Sequence, residues 1–337
     1  MKVPFVHGPG DLRLGDIACP HPGANDVLLR VATVGICGSD LGYTAVGGVT
    51  GAGEAPMPLG HELSGTIAEV GSAVTGLSAG DRVVLNPYYN AIGNGGPEGG
   101  FADYLLVRDV TAHPDSLLPL PDTVSFDQGA LVEPLAVSFH AVNRARVTPG
   151  DKVAVFGAGP IGLGIVIGLR RQGVEDIAVF DLSPLRRQLA LQLGARTTFD
   201  PRATAPREAL GSQHGTMTLW TPEPLVATNV FIEASGAPNV IPEIVDCAGF
   251  HARLVVVAVQ KKPVTLNFQT LLAKEMSIEM AMGYPNEFPE VLSYLSSSNA
   301  QAEGMVTHRF DGEDFMAAFE ASSKQDQAAK VLVRYQR

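Results

Sequence analysis

Cysteine is scarce in this sequence, with only Cys19, Cys37 and Cys247 among 337 residues. An odd number of cysteines in a chain of this length argues against a framework of disulfides. A cysteine with a chemical role is therefore expected to act as a thiol or as a metal ligand.

Positive charge and long apolar runs are also lacking. The sequence carries 24 basic against 35 acidic side chains, a net charge of -11, and shows no basic stripe, so nucleic acid and anionic membrane surfaces would be repelled. No apolar run approaches the ~18 residues of a membrane span, and residues 1–6 lack the apolar core of a signal peptide. We therefore expect a cytoplasmic protein that binds neither nucleic acid nor membranes.

Apolar residues and turn formers are plentiful instead. Hydrophobic residues make up 45% of the chain and charged residues 18%, and 37 glycines and 24 prolines indicate a globular protein with many turns. A domain usually has ~100–200 residues, so this length predicts two domains.

Short strands are predicted in the first part of the chain. Apolar runs separated by glycine and proline turns occur at Val27–Ala32, Ser64–Val70 and Arg82–Leu85. This spacing is typical of small antiparallel strands in a barrel-like domain.

Helical spacing first appears at residues 126–142, where Pro134 allows a break. Beyond a turn at 149–151, strand-like runs alternate with helix-like segments, which predicts a parallel sheet covered by helices. The expected segments are Val153–Phe156, Ile161–Gln172, Ile177–Phe180, Pro184–Leu193, Val230–Glu233, Ile241–Ala248 and Leu254–Val259. Prolines between residues 200 and 229 argue against one long helix there, and Trp220 is expected in a packed loop.

The alternation ends near residue 270. Phe288–Leu295 and Phe315–Ser322 are predicted as amphipathic helices. Residues 329–334 are predicted as a last strand, which returns to the first domain.

A glycine-rich turn, Gly157-Ala-Gly159-Pro-Ile-Gly162, follows the predicted strand at 153–156 and opens a helix. Gly157 allows a tight turn, Gly159 lets backbone N–H groups reach a pyrophosphate, and Gly162 lets the helix pack on the strand. Pro160 and Ile161 lie in the same turn and are also predicted to bind the cofactor. The strand before and the helix after distinguish this turn from an isolated glycine motif.

Asp181 ends the next apolar run, at the ~20-residue distance expected of a dinucleotide-binding βαβ unit. Its carboxylate is expected to accept hydrogen bonds from the adenosine ribose hydroxyls and to repel the extra phosphate of NADP. The cofactor is therefore predicted to be NAD.

Further cofactor contacts are inferred from position. We expect Arg186 or Arg187 either to lie against the adenine or to stand on a solvated helix face. Ser235, Gly236 and Val257 lie in segments that end later strands, so they are expected to flank the nicotinamide at the carboxyl edge of the sheet.

Potential metal ligands lie outside the nucleotide unit. Cys37 and the pair His61-Glu62 stand beside glycines, and Glu133 begins a helical stretch. A thiolate, an imidazole and a carboxylate with one open position form a catalytic zinc site. Taken singly, Cys37 can be a small buried residue, His61 a hydrogen-bonded core histidine and Glu133 a helix-cap acid. Because the same chain carries the nucleotide-binding motif, we interpret these four residues together as a metal site.

Over essentially its whole length the chain resembles the medium-chain zinc-dependent alcohol dehydrogenase family, and within it the branch of 2,3-butanediol, sorbitol, L-idonate and threonine dehydrogenases. The motifs that carry the resemblance are Gly35-Ile-Cys-Gly-Ser-Asp40, Gly60-His-Glu62, Gly80-Asp-Arg-Val-Val84, Glu133-Pro-Leu-Ala-Val137, Gly157-Ala-Gly-Pro-Ile-Gly162, Phe288-Pro-Glu-Val291 and Thr307-His-Arg-Phe310. The resemblance implies an α/β protein with a GroES-like β-barrel catalytic domain, residues 1–140 and 275–337. It also implies a Rossmann NAD-binding domain with a doubly wound parallel sheet, residues 141–274.

By the family pattern, Cys37 and His61 match zinc ligands, and Glu62 and Glu133 are the alternatives for the third ligand. Asp40 matches an acid that orients the ligating imidazole. Ser39 matches the hydroxyl that takes the substrate proton. The implied reaction is hydride transfer between NAD and a secondary alcohol of the vicinal diol, acyloin, polyol or cyclitol type, which gives the ketone.

Two departures from the family pattern alter these expectations. Many relatives carry a histidine three residues after the serine, where this chain has Gly42, so the proton is expected to leave through the nicotinamide ribose or through Glu133. Residues 86–100 contain none of the four cysteines that hold a structural zinc in many relatives. We therefore predict one catalytic zinc per chain and no structural zinc.

The sequence leaves three classes of function open. The favoured class is a zinc- and NAD-dependent dehydrogenase, for which the family implies a homodimer or homotetramer. A zinc-free quinone or enone reductase of the same fold would have no use for Cys37, His61 and Glu62 together, and its usual NADPH conflicts with Asp181. A non-catalytic member of the family would tolerate the loss of any of these residues.

Overall fold

The computed structural model describes residues 1–53, 56–218, 223–297 and 300–335. Trp220 lies outside these ranges, so its predicted loop position stays a prediction. The chain divides into two compact units. Unit 1 comprises Met1–Glu133, Phe288–Lys324 and Lys330–Arg337, and unit 2 comprises Pro134–Glu287 and Gln325–Ala329. The predicted domain limits, after residues 140 and 274, lie 7 and 13 residues from the divisions after Glu133 and Glu287 and stay a prediction.

The described ranges contain the following elements. The strands are β1 (Lys2–Gly8), β2 (Asp11–Asp16), β3 (Val27–Gly35), β4 (Met57–Pro58), β5 (Glu62–Val70), β6 (Arg82–Leu85), β7 (Tyr104–Val107), β8 (Leu117–Pro119), β9 (Lys152–Phe156), β10 (Asp176–Phe180), β11 (Thr197–Phe199), β12 (Thr216–Met217), β13 (Leu225–Val226), β14 (Val230–Glu233), β15 (Arg253–Val256), β16 (Ser277–Met280), β17 (Val306–Asp311) and β18 (Lys330–Arg334). The α-helices are α1 (Gly38–Val46), α2 (Phe126–Gly129), α3 (Val132–Ala145), α4 (Pro160–Arg171), α5 (Pro184–Gln192), α6 (Pro206–His214), α7 (Val240–Cys247), α8 (Phe268–Lys274), α9 (Phe288–Leu295) and α10 (Phe315–Ser323). Within these ranges, no helix is both long and apolar enough to cross a membrane.

Unit 1 is built mainly from antiparallel strands. A three-stranded sheet has the order β2-β1-β4, and a larger sheet has the order β17-β18-β3-β5-β6-β8, with β7 also paired to β3. Strand β3 is buried at every position except Arg30, as expected for a central strand with apolar residues on both faces. Its last residue, Gly35, pairs with Glu62 of β5 on one side and with Leu332 of β18 on the other. The end of β3, the start of β5 and the middle of β18 therefore meet at Gly35.

Unit 2 contains a six-stranded sheet in the order β11-β10-β9-β14-β15-β16, and its neighbouring strands are parallel. This is the order of a doubly wound sheet, with the reversal between β9 and β14. The core of the sheet includes stacked rings of Phe156 and Phe180, whose centroids are 4.6 Å apart. The predicted parallel α/β arrangement is confirmed.

The structure corrects two details of the sequence prediction and agrees with it between residues 200 and 229. The helix expected at 126–142 is interrupted at Ala130 and Leu131, not at Pro134. Pro134 stands in the first turn of α3, where a missing N–H costs no helical hydrogen bond. The strand expected to reach Val259 ends at Val256. Between 200 and 229 the prolines leave room for the short helix α6 and the two-residue strands β12 and β13.

Candidate metal centre and nucleotide site

The first group of candidate residues lies where β3 ends and β5 begins. The register pairs Gly35 with Glu62, so the residues that follow β3 come close to those that precede β5. Cys37 follows β3 and caps helix α1, and Gly60 and His61 directly precede β5. Gly60 has φ +98, and a Cβ there would lie 2.9 Å from a neighbouring backbone nitrogen, so this turn requires glycine.

Cys37, His61 and Glu62 each offer one ligand atom, and these atoms all lie within 4.8 Å of one another. His61 is 3% exposed and Glu62 1% exposed, while Cys37 is half-buried. Sulfur, imidazole nitrogen and carboxylate oxygen are the donors that zinc takes in catalytic sites. The residues present therefore fit a zinc ion.

Burial and neighbouring charges shape the electrostatics of this cluster. Burial raises the pKa of the Cys37 thiol, and the Glu62 carboxylate raises it further. Burial alone would lower the pKa of His61, but Cys37 and the acids Asp40 and Glu133 outweigh this effect and raise it well above its usual range. Metal binding to such groups releases protons, so we expect metal uptake to depend on pH.

Asp40 is a buried acid that binds the two turns on which Cys37 and His61 lie. It is fully buried, and its carboxylate accepts hydrogen bonds from the backbone N–H of Cys37 at 2.9 Å and of Gly60 at 3.3 Å. The Nδ1 atom of His61 lies 3.8 Å from Asp40 Oδ1, and Nε2 lies 3.4 Å from Ser39 Oγ. Asp40 therefore faces the Nδ1 side of the imidazole and fixes the turns that carry Cys37 and His61.

Lys330 is a member of this site that sequence reasoning missed. Its side chain is fully buried, and its ammonium group donates to a Glu62 carboxylate oxygen and, at 3.0 Å, to the carbonyl oxygen of Ile36. A Cβ at position 35 would lie 2.8 Å from Lys330 Cε, so Gly35 makes this approach possible. The sequence signal that could have identified Lys330 is a lysine directly before the apolar residues of a predicted strand.

Ser39 and Tyr43 lie one turn apart on α1. The Tyr43 hydroxyl donates to Asn94 Oδ1 at 3.2 Å. Burial raises the pKa of Tyr43, and the nearby Cys37 thiol adds to this effect. Tyr43 is thus a second hydroxyl beside the cluster, which the sequence analysis did not single out although it stands four residues after Ser39.

Glu133 lies near the cluster without joining it. It is the second residue of α3 and is 7% exposed, and its charge contributes to the raised pKa of both His61 and Tyr43. In the described ranges, the group of ligand atoms within 4.8 Å includes Glu62 and not Glu133. At Gly42 there is open space, with no atom within 4 Å of a Cβ built there.

The glycine turn of unit 2 has the geometry that its sequence predicts. Gly157 has φ +97, and a Cβ there would lie 2.8 Å from the carbonyl oxygen of Ala234. A Cβ on Gly162 would collide with the Gly157 carbonyl, whereas Gly159 has no such close neighbour. Pro160 and Ile161 form the first turn of α4, whose free N–H groups suit an anion.

Asp181 follows β10 and holds this turn in place. Its carboxylate accepts hydrogen bonds from the Ala158 N–H at 2.7 Å and from the Ser183 N–H at 2.8 Å. A carboxylate has about four acceptor sites, so two remain for ribose hydroxyls. A cavity of about 940 Å³ borders Asp181, Gly157, Gly159 and Ser235. The residues of unit 2 therefore fit a dinucleotide.

The remaining predicted cofactor residues divide between two cavities. Arg186 borders the 940 Å³ cavity and donates to the Ala328 carbonyl at 2.9 and 3.0 Å. Arg187 instead donates to the carbonyl oxygens of Asp181 and Leu182. Gly236 follows Ser235 in a turn with φ +68. Val257 borders a different cavity, an apolar groove beside β15 and β16.

Family models decide the classification. Residues 23–122 match the alcohol dehydrogenase GroES-like domain, and residues 160–297 match the zinc-binding dehydrogenase domain. The chain belongs to the zinc-binding alcohol dehydrogenase family. The resemblance inferred from the motifs is thereby confirmed, and so is the expected pairing of a GroES-like domain with a Rossmann-type parallel sheet.

Relatives and solved structures similar to this alcohol dehydrogenase cover nearly its whole length. Sorbitol dehydrogenase of Bos taurus is 36% identical over 98% of this chain and 94% of its own. The crystal structure of 2R,3R-butanediol dehydrogenase from Bacillus subtilis is 32% identical, with a TM-score of 0.85 and 99% coverage of both chains. A structure described as a short chain alcohol dehydrogenase from E. coli CFT073, complexed with NADH, is 26% identical, with a TM-score of 0.86 and 99% coverage of both chains.

Proposed function

We propose that this alcohol dehydrogenase oxidises a secondary alcohol of the vicinal diol or polyol type to the ketone, using one zinc ion and NAD. The observation that carries the proposal is the clustering of Cys37, His61 and Glu62 within 4.8 Å in a member of this family. Similarity to a sorbitol dehydrogenase and to a butanediol dehydrogenase supports the class of substrate.

Zinc, when bound, would act as a Lewis acid that lowers the pKa of the substrate hydroxyl. Cys37 and His61 would hold it. We assign Glu62 as the third ligand because its carboxylate belongs to the cluster, with Lys330 stabilising the remaining negative charge. Asp40 would keep the His61 imidazole in a fixed orientation through the turns that it binds.

Ser39 and Glu133 are assigned to proton movement. The Ser39 hydroxyl lies beside His61 and would take the proton that the substrate releases. Glu133 is buried near the cluster and would take it onward in the absence of a histidine at position 42. A Glu133→Gln enzyme is expected to turn over slowly with an altered pH profile. Normal turnover and an unchanged profile would leave only the route through the nicotinamide ribose.

Asp181 supports NAD as the cofactor in preference to NADP. Its carboxylate is fixed by two backbone N–H groups at the edge of the 940 Å³ cavity, where it would repel a 2′-phosphate. Asp181→Ala should reduce the preference for NAD over NADP in kcat/KM. An unchanged ratio would refute this role of Asp181.

A homodimer is proposed from the surface of unit 2. In the described ranges β16 lies at an edge of the parallel sheet, and the apolar groove beside it carries Phe268, Leu272 and Met282, each more than three-quarters exposed. An exposed apolar edge strand is a template for pairing, and a two-fold axis would join two copies of the sheet there. Sedimentation should show a dimer that Leu272→Glu dissociates, and a monomeric wild type would refute the assignment.

A cytoplasmic location is proposed from the thiols. Cys19, Cys37 and Cys247 are all free, as expected of a protein kept in a reducing compartment. Cell fractionation with a tagged chain would test this location.

The experiment that tests the function combines metal analysis with a substrate panel. We expect one zinc per chain and NAD reduction with 2,3-butanediol or sorbitol in preference to threonine or an aminocyclitol. Two tightly bound zinc ions would refute the absence of a structural zinc. A metal-free protein that reduces quinones or enones would replace the dehydrogenase by the zinc-free alternative, and one without any turnover would indicate a non-catalytic member.

A further inference from the structure

Glu233 occupies the point at which the sheet of unit 2 changes direction. It is the last residue of β14 and is fully buried. It pairs with Phe156, the residue that precedes the Gly157 turn. The strand order reverses between these two strands, and a doubly wound sheet binds its dinucleotide across that reversal. Glu233 therefore lies directly beneath the expected path of the cofactor.

The Glu233 carboxylate is surrounded by neutral donors. One oxygen accepts from the Ser235 N–H at 2.7 Å, the Ser235 hydroxyl at 2.5 Å and the Gly236 N–H at 2.9 Å. The other accepts from the Gln260 amide at 2.8 Å. Among the described ion pairs none includes Glu233. Its negative charge is thus stabilised by dipoles alone and is not cancelled by a cation.

The orientation of Gln260 indicates how strongly the site is organised around this charge. With its amide nitrogen on Glu233, the Gln260 Oε1 atom is buried and has no hydrogen-bond partner in the described ranges. Leaving a buried oxygen without a hydrogen-bond partner is unfavourable. The reverse orientation would place that oxygen against the carboxylate, so the charge of Glu233 fixes the orientation of the Gln260 amide.

The position of Asp181 indicates which half of the cofactor approaches Glu233. Asp181 follows β10, on the side of the sheet that takes the adenosine half. The nicotinamide half must then extend over the ends of β14 and β15, where Glu233 and its donors lie. The nicotinamide ring carries a positive charge in NAD⁺ and none in NADH, so a fixed buried negative charge interacts differently with the two forms.

We propose that Glu233 makes the cofactor site prefer NAD⁺ over NADH. This inference rests on the proposed NAD dependence. Glu233 is fully buried behind the turn at Ser235 and behind Gln260, so we do not assign it a direct contact with the cofactor. It acts through its charge and through the loops that it holds.

The test compares the dissociation constants of the two cofactor forms for the zinc-loaded full chain. NADH binding is followed by its fluorescence and NAD⁺ binding by calorimetry, both without an alcohol substrate. Glu233→Gln keeps the shape and removes the charge, so the ratio of the NADH to the NAD⁺ dissociation constant should fall about tenfold, the order of magnitude of a charge–charge interaction inside a protein. Glu233→Asp, which keeps the charge, should retain most of the wild-type ratio.

Glu175→Gln is the matched control. It removes the same charge from an exposed position of unit 2, directly before β10 and thus at the opposite edge of the sheet, and it should leave the ratio unchanged. Should Glu233→Gln fail to fold, Gln260→Leu removes one donor and keeps the charge, and its ratio should stay the same or rise.

Three results would overturn the inference. Equal weakening of NAD⁺ and NADH by Glu233→Gln would indicate a purely structural role, and a fall in the ratio with Gln260→Leu would show that the loop and not the charge is responsible. A wild-type chain that binds neither form would instead refute the proposed NAD dependence, so the two failures are distinguishable.

Discussion

The two units each bury one histidine to the same extent and give it opposite properties. His61 in unit 1 and His214 in unit 2 are both 3% exposed. The thiol of Cys37 and the acids Asp40 and Glu133 outweigh the burial of His61 and raise its pKa. Burial dominates at His214, where Lys152 and Arg196 add to it, and lowers the pKa to about 4 although Asp176 opposes them.

Burial alone therefore does not identify a functional histidine. His214 hydrogen-bonds the Thr228 hydroxyl at 2.7 Å, and Lys152 donates to its carbonyl oxygen, so it ties α6 to the sheet as a neutral packing residue. His61 stands among a thiol and carboxylates, an arrangement that a divalent cation would stabilise. The sign of the surrounding charge separates the metal ligand from the core residue.

The largest effect is expected from replacing the histidine of the metal cluster. His61→Gln should abolish zinc retention and reduce kcat/KM by more than about 100-fold, since even residues that only support a metal ligand cost 10–100-fold when changed. Plasma emission spectrometry and steady-state kinetics measure the two quantities. His214→Gln is the matched control and should keep one zinc per chain. Equal zinc contents in both variants would refute the distinction between a metal ligand and a core histidine.

The next effect concerns the ion pair beside His61. Lys330→Met would leave the Glu62 carboxylate buried without its cation, so we expect the free energy of unfolding to fall by about 3–5 kcal/mol. Urea denaturation of the zinc-free chain measures this loss. A second change, Glu62→Gln, should restore part of the stability in the double variant. A double variant less stable than Lys330→Met would contradict the ion-pair explanation.

A pH-dependent stability is expected from His214. Its pKa is lowered to about 4 in the folded chain from about 6.5 in the unfolded chain, so the stabilisation is complete above pH 6.5 and is lost as the pH falls towards 4, where the loss reaches about 3 kcal/mol. Urea denaturation between pH 7 and pH 4.5 should show a smaller loss of stability in His214→Gln than in wild type. Parallel pH profiles would refute the prediction.

The smallest effect concerns the partner of His214. Thr228→Val keeps the shape of a residue that is 1% exposed and removes the hydroxyl that bonds His214, so the free energy of unfolding should fall by about 1 kcal/mol. Thermal unfolding at pH 7 measures it. Zinc content should remain at the wild-type value, and a loss of metal would show that the two histidines are coupled.

Local patterns predicted much of the fold. The helix over Phe288–Leu295 was predicted with its observed ends, and the strand, glycine turn and helix around Gly157 were predicted from a short stretch of sequence. The break near Pro134 was placed wrongly because the pattern does not show where the helix starts, and a proline is harmless in a first turn. Such features depend on a few neighbouring residues and can be inferred from them.

The pairs that complete the sites depend on distant residues instead. Lys330 meets Glu62 only because β18 and β5 lie on opposite sides of β3, a register that no local pattern specifies. Tyr43 meets Asn94 through a loop whose course the sequence did not indicate. Glu233 resembles Asp181 in ending an apolar strand, yet its full burial became evident only from the sheet order.

Gly35 ties variation at its own position to the ion pair beside it. A side chain at position 35 would meet both the Glu62 carboxylate and the Lys330 stem, so alanine would displace the ends of both side chains from their present contact. Because Glu62 is assigned to the zinc and Lys330 stabilises its charge, a library randomised at position 35 alone and selected for zinc retention should return glycine.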